Sequence, residues 1–352
     1  MTSDAARRAI VPGDAAAGRA ARARIDALTK PAGSLGRIEE LAVTLSTIAG
    51  RVVDRPYTRK AILIGAGDHG VTAEAVSAYP AEVTPQMIGG FLRGHAAINA
   101  FARAVRADVY VANFGVRETL APHPALIDVL VGRGTANFAR GDAMLAADVD
   151  LALAAGIAAL DDVLARDAYD VVALGEMGIG NTTSAAAIVA ACTGASAAET
   201  TGRGTGVDDA RLAHKRGIVA AAVAPLRDAS WETIARAVGG YEIVGLAGAI
   251  LGAASRRIPV VLDGFIVAAA ALLAVRIAPA AADYCIAAHR SQEPGHRIAL
   301  GALGLRPLFD FDLRLGEGSG AALALPLIEA ATRMIAEMQT FAEARVSEAA
   351  PS

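Results

Sequence analysis

Short apolar runs at 61–65, 107–112, 170–174, 259–262 and 284–287, several rich in Val and Ile, constrain the architecture of this chain most. Each ends in a polar or glycine-containing loop, and alanine-rich stretches of helical pattern lie between them. Such alternation predicts parallel strands joined by crossover helices. The fold class expected is α/β, a Rossmann-like parallel sheet flanked by helices. The chain ends carry helical patterns and no strand. Residues 14–30 are polar on one side, 37–50 form a helix that Ser34 could initiate, and 325–345 a final amphipathic helix, with 346–352 frayed. These ends are expected to form a small discontinuous helical domain, 1–59 with 321–352, beside a large catalytic α/β domain over 60–320.

Hydrophobic residues make up 54% of the 352 positions and mean hydropathy is +0.42, figures that would fit a membrane protein. Alanine and glycine inflate both. The longest apolar stretch, 264–275, is bracketed by Asp263 and Arg276 and falls short of the ~20 residues of a membrane helix. A buried core helix is expected there. Arg7 and Arg8 are followed by no long apolar run, so a secretory signal is not expected. Cys192 and Cys285 have no CxxC spacing and read as reduced core residues of a cytoplasmic protein. A net charge of −3 and 4% aromatics disfavour a nucleic-acid surface.

In sheets of this kind ligands bind beyond the carboxyl ends of the strands. Polar residues concentrate there, at 67–70, 113–115, 175–183, 263–264 and 289–296. The loop after the third run carries most information. Gly175, Gly178 and Gly180 let the backbone turn, and Asn181, Thr182 and Thr183 can cap the next helix. Strand, turn and helix start would aim amide donors and the positive dipole end at one point, which suits a phosphate. Glu176 inside the turn would repel a dianion, so the ligand should have another, electron-poor or hydroxylated part. A tight turn alone would also account for the loop.

Glu317 stands between Gly316 and Gly318 just before an apolar helix over 321–331, and fits either a general base or a charged turn. Residues 202–209 form another glycine turn and helix cap, with Lys215 two turns on, able to reach an anion or simply to sit on the surface. Gly134 to Asn137 has the same ambiguity. Asp68 and His69 fit an acid–base pair or a structural one. Pro294 and Gly295 deny His289, Glu293 and His296 the helical spacing of a metal motif, so no metal is expected; Arg290 and Ser291 suit phosphate or ribose hydroxyls. Leu160-Asp161-Asp162 lacks the Thr-Gly turn of a pyrophosphate loop, and neither a GxxxxGK[ST] element nor a GxGxxG after the first strand is present.

The order of these motifs, Lys30 to Gly36, Gly67 to Val71, Gly175 to Thr183, Gly202 to Gly206 and Gly316 to Gly320, is similar to that of the nicotinate-nucleotide–dimethylbenzimidazole phosphoribosyltransferases, from about Ala27 to Ala331. The resemblance implies transfer of ribose 5-phosphate from nicotinate mononucleotide to 5,6-dimethylbenzimidazole. The β-nucleotide would give α-ribazole 5′-phosphate and nicotinate by direct inversion, in cobalamin biosynthesis. It makes Glu317 the catalytic carboxylate. It assigns Glu176, Gly178, Gly180, Asn181, Thr182, Lys215, Arg290 and Ser291 to the nucleotide, and Pro80, Gln86 and Leu315 to the acceptor pocket, beside Tyr79. It implies no cofactor, small-molecule substrates as the only ligands, no nucleic-acid or membrane partner, and a homodimer. Transfer to a different base, or nucleotide sensing without turnover, are the alternatives left open.

Overall fold

The computed structural model describes residues 2–347. Six parallel strands form one sheet: β1 (Lys60–Gly67), β2 (Asp108–Gly115), β3 (Leu126–Asp128), β4 (Val171–Met177), β5 (Val260–Leu262) and β6 (Cys285–Ala287). Their order is β3-β2-β1-β4-β5-β6. Every residue of β1 and β4 is buried, as strands with helices on both faces must be. The two are adjacent, Ile64 opposite Gly175 and Gly65 opposite Glu176. Strand order reverses between them, and a crevice opens at such a reversal beyond the strand ends.

The α/β expectation holds, with all five runs in the sheet. The sequence does not announce edge strand β3, because only its central residue, Ile127, is buried, whereas the equally short β5 and β6 are buried throughout and read as apolar runs. The 264–275 stretch is the Phe265–Ile277 helix, almost wholly buried, and both cysteines are free. Tyr241–Ala254 is buried along its whole length and crosses Ala146–Arg166 at a glycine contact. A Cβ on Gly156 would strike the Gly245 carbonyl, so the two backbones nearly touch.

At the chain ends several boundaries move. A helix at Ser3–Ala9 precedes the expected start. Asp14 caps Ala15–Asp26 by accepting from the Ala16 and Ala17 amides at 2.8 and 3.0 Å. That helix stops at Asp26, because Leu28 pairs with Thr340 in an isolated bridge. Ser34 does not start the Arg37–Ala49 helix. Gly36, at φ +51°, does so without a side-chain bond, and Glu39 accepts from the Leu35 amide while pairing with buried Lys30 at 2.8 Å. The segments expected at 321–331 and 325–345 are one helix, Ser319–Glu337, running through Pro326, with a short turn of helix at Phe341–Ala344. By length and composition Ser319–Glu337 could cross a membrane, yet 61% of its apolar window is buried inside the protein. It packs on Ala15–Asp26 and Arg37–Ala49 and also on β4 and β5. Beyond Ser347 the expected frayed end lies outside the described residues.

Candidate active site

The carboxyl ends of β4, β5 and β6 and the turn before Ser319–Glu337 surround a cavity of about 520 Å³, a size suited to a small-molecule ligand. A larger one, about 740 Å³, is bounded by Asp209–Val223 and Trp231–Val238 and lies away from these strand ends.

Three carboxylates line the smaller cavity, Glu176, Glu293 and Glu317, and the glycines beside the first and last explain how those two meet. A Cβ on Gly175 would collide with the Gly318 backbone, and one on Gly316 with the Glu176 carboxylate. The two motifs therefore interlock. Gly316, Glu317 and Gly318 all have positive φ, +84°, +64° and +83°. Only Glu317 among them has a side chain, and holding it in this region costs on the order of 1–3 kcal/mol. Asp263, at the end of β5, fastens the turn. Its Oδ2 accepts from the Gly318 amide at 3.0 Å and its Oδ1 from the Ala321 amide at 2.9 Å, capping the helix from outside.

Burial dominates the electrostatics. It pushes the Glu176 carboxyl up to about 8, helped by the charges of Asp263, Glu242 and Glu317 and opposed by the bond from the Asn181 side-chain amide. Burial, then the Asp263 charge, raises Glu317 to about 7, against the pull of the Ile98 amide. Glu317 is 6% exposed and its Oε2 has no partner. It is thus a desolvated carboxylate poised near neutrality, as a general base requires.

Another wall of the cavity sets a buried ammonium behind Thr182 and the Glu293 carboxylate beside it. Lys215 is wholly buried and donates to the Thr182 hydroxyl at 2.8 Å. Burial lowers its pKa to about 8, and the Glu293 charge opposes this. Gly204, at φ +52°, lies against both groups, and its amide donates to Glu293 Oε1 at 2.9 Å. Gly264, Phe265 and Ile266 bring a second helix N-terminus to the cavity, with no side-chain cap.

Of the residues singled out in the sequence, Glu176, Gly178, Asn181, Thr182, Ser291, Leu315 and Glu317 line this cavity. Gly180 lies behind, against Thr72 and His69, and Lys215 reaches in through Thr182. Three features differ from expectation. Arg290 does not line the cavity; its guanidinium pairs with Asp310 in a neighbouring cleft. Pro80 and Gln86 are exposed and do not line it, and Tyr79, Val83 and Met87 do. The Asn181–Thr193 helix is capped by Gly180, at φ +93°, with no side-chain bond, because the Asn181 side chain is committed to Glu176. The Asn181 and Thr183 amides are also spent, on the Gly178 and Gly180 carbonyls at 3.0 and 2.9 Å.

Elsewhere the ambiguous motifs resolve as structural. Asp68 accepts from the Arg117 amide at 2.8 Å and does not pair with His69. Thr135 accepts from the Gly70 amide and Asn137 donates to Glu74. His296 accepts from the Ser291 amide at 2.9 Å, and burial with the His289 charge lowers it to about 3. No cluster of three or more metal-ligating side chains occurs among the described residues. Sequence reasoning passed over Val83 and Met87, whose i, i+4 spacing was the available signal; the 263–264 loop it placed at the strand ends does bring a helix start to the cavity.

A family model described as "Phosphoribosyltransferase" (DBI_PRT) matches residues 10–346. The chain is a phosphoribosyltransferase by class. Proteins named nicotinate-nucleotide–dimethylbenzimidazole phosphoribosyltransferase from Chloroflexus aggregans and Geobacter sulfurreducens are 52% and 49% identical to it over 343 residues, covering 96% of both chains in each case. The crystal structure of CobT from Thermus thermophilus superposes with a TM-score of 0.92 at 49% identity, covering 95% of this chain and all of that one. This chain belongs to the nicotinate-nucleotide–dimethylbenzimidazole phosphoribosyltransferase family.

Proposed function

We propose that this protein transfers ribose 5-phosphate from nicotinate mononucleotide to 5,6-dimethylbenzimidazole, giving α-ribazole 5′-phosphate and nicotinate. The observation that carries the reading is the buried Glu317 carboxylate, raised to about 7 and with a free oxygen, across the same cavity from Thr182, which Lys215 holds; the other carboxylate there with a free oxygen, Glu293, is engaged by the Gly204 amide beside Lys215. Lys215, Thr182, Ser291 and the Gly264 helix start would hold the phosphate. Leu315, Met177, Val83 and Met87 offer an apolar wall for the flat acceptor.

In the step itself one benzimidazole nitrogen attacks the anomeric carbon from the face opposite the nicotinate. The bond to the pyridinium nitrogen breaks, its electron pair stays on nicotinate, and the configuration inverts. The proton on the other benzimidazole nitrogen passes to Glu317. Glu176, held up near 8, would remain largely protonated at neutral pH and so add no repulsion towards the phosphate.

The same reading makes the protein a cytoplasmic homodimer whose helical ends form a small discontinuous domain. The packing of Ala15–Asp26 and Arg37–Ala49 on Ser319–Glu337 supports the last point. Purified protein given nicotinate mononucleotide and dimethylbenzimidazole should release nicotinate only when both are present, with α-ribazole 5′-phosphate formed in equal amount. Absence of product at any pH between about 6 and 9, the span around the Glu317 and Lys215 titrations, would refute the proposal.

A further inference from the structure

His69 lies outside the cavity, yet the backbones of three loops are shaped around it. Its ring is fully buried, with Nε2 2.6 Å from Glu242 Oε1 and Nδ1 3.0 Å from the Ser184 hydroxyl. Ser184 sits in the first turn of Asn181–Thr193 and Glu242 in the first turn of Tyr241–Ala254. The imidazole therefore ties the end of β1 to two helix starts. Four glycines border this pair closely. A Cβ on Gly240 would strike the His69 ring, one on Gly178 would lie 3.3 Å from its Cδ2 and 3.2 Å from Glu242 Oε1, and one on Gly180 3.4 Å from its Cβ. A Cβ on Gly67 would come within 2.7 Å of Glu242 Oε2.

We propose that His69, clamped between Glu242 and Ser184, is a positioning residue for the transfer: its ring is the platform on which the Gly178–Gly180 turn rests, and it fixes the nucleotide-facing backbone relative to Glu317. This rests on the activity proposed above. Gly178 lines the cavity and sits where a side chain would be stopped by the Gly67 carbonyl, Glu242 and the His69 ring together, so a displaced ring loosens the packing that fixes that turn. Misplacement by about 1 Å can cost a reaction about a hundredfold in rate. Glu242 has a second link to the site, since its charge helps to raise Glu176. The titratable groups facing Glu176 are Asp263 from the end of β5, Glu317 from the turn before Ser319–Glu337, and Glu242; Glu242 is the one that His69 holds.

The test is Glu242→Gln, which keeps size but removes the charge, with Ser184→Ala releasing only the other end of the ring. For E242Q, kcat/KM for nicotinate mononucleotide should fall between about tenfold and a hundredfold, with KM rising. The alkaline limb of the pH profile should also move to lower pH, because Glu176 loses a neighbouring negative charge. S184A should raise KM several-fold with an unmoved profile. Wild-type KM and profile in a folded E242Q would overturn the proposal, as would unchanged KM in S184A should E242Q fail to fold. The unsubstituted protein is the control. If it does not turn over, the proposed activity fails and the positioning role with it; if it and the variants turn over alike, only the positioning role fails.

Discussion

Replacing Glu317 by Gln separates what the carboxylate does for chemistry from what it costs the fold. Glutamine has the same shape and can occupy the same left-handed position, but it cannot accept the acceptor's proton. A positioned general base contributes about 10²–10⁴ in rate, or roughly 3–5 kcal/mol of barrier, so kcat should fall by that factor while KM for nicotinate mononucleotide changes little. Stability should move the other way. Burial holds this carboxyl near 7 rather than the ordinary glutamate value of 4.5, so its ionised form destabilises the native state by about 3 kcal/mol. The folded pKa lies above the unfolded one. The penalty is therefore absent below about pH 4.5, grows as pH rises, and is complete above about pH 7. At about pH 8, E317Q should melt roughly 5 °C above the unsubstituted protein, and at about pH 4 the two should coincide. Product assays at saturating substrates and melting at both pH values supply the comparison. Wild-type kcat, or a variant that melts lower under the alkaline condition, would refute the reasoning, the second by making the carboxylate a structural anchor.

The remaining predictions concern the same cavity. The kcat/KM profile should be bell-shaped, rising as Glu317 ionises through about 7 and falling through about 8 as Lys215 loses its proton and Glu176 ionises; a plateau continuing to about pH 10 would contradict it. Lys215→Met should raise KM for nicotinate mononucleotide by about tenfold or more, the value of one charge-assisted contact, with a smaller effect on KM for the base. Steady-state titration of each substrate separates the two. Gly316→Ala forces a side chain onto φ +84° and into the Glu176 carboxylate, so denaturant unfolding should register a loss of about 1–3 kcal/mol and turnover should drop.

Much of the site was legible because it uses residue types that leave a mark in sequence. Glycines around Glu176 and Glu317 point to places where backbones approach closely, and the two turns do approach each other. Apolar runs bounded by turns exposed five of the six strands. What escaped was encoded in three dimensions only. Asn181 looks like a helix cap until Glu176 is seen to claim its side-chain amide. Arg290 looks like a phosphate ligand until Asp310 is found beside it. Pro80 and Gln86 sit in the right segment, but the turn of the Val83–Leu92 helix sends Val83 and Met87 inward instead. Lys30 opens a conspicuous motif, yet its ammonium neutralises buried Glu39 outside the cavity.

The clamp that Asp263 places on the Gly318 and Ala321 amides has a consequence for how the protein comes into being. Nucleotide-facing turns are all translated before residue 300, ahead of the carboxyl-terminal helix. Glu317 reaches its station only when the Ser319–Glu337 segment emerges from the ribosome, winds up and seats itself on the end of β5. A growing chain would on this account carry every nucleotide-facing residue well before it gains its base.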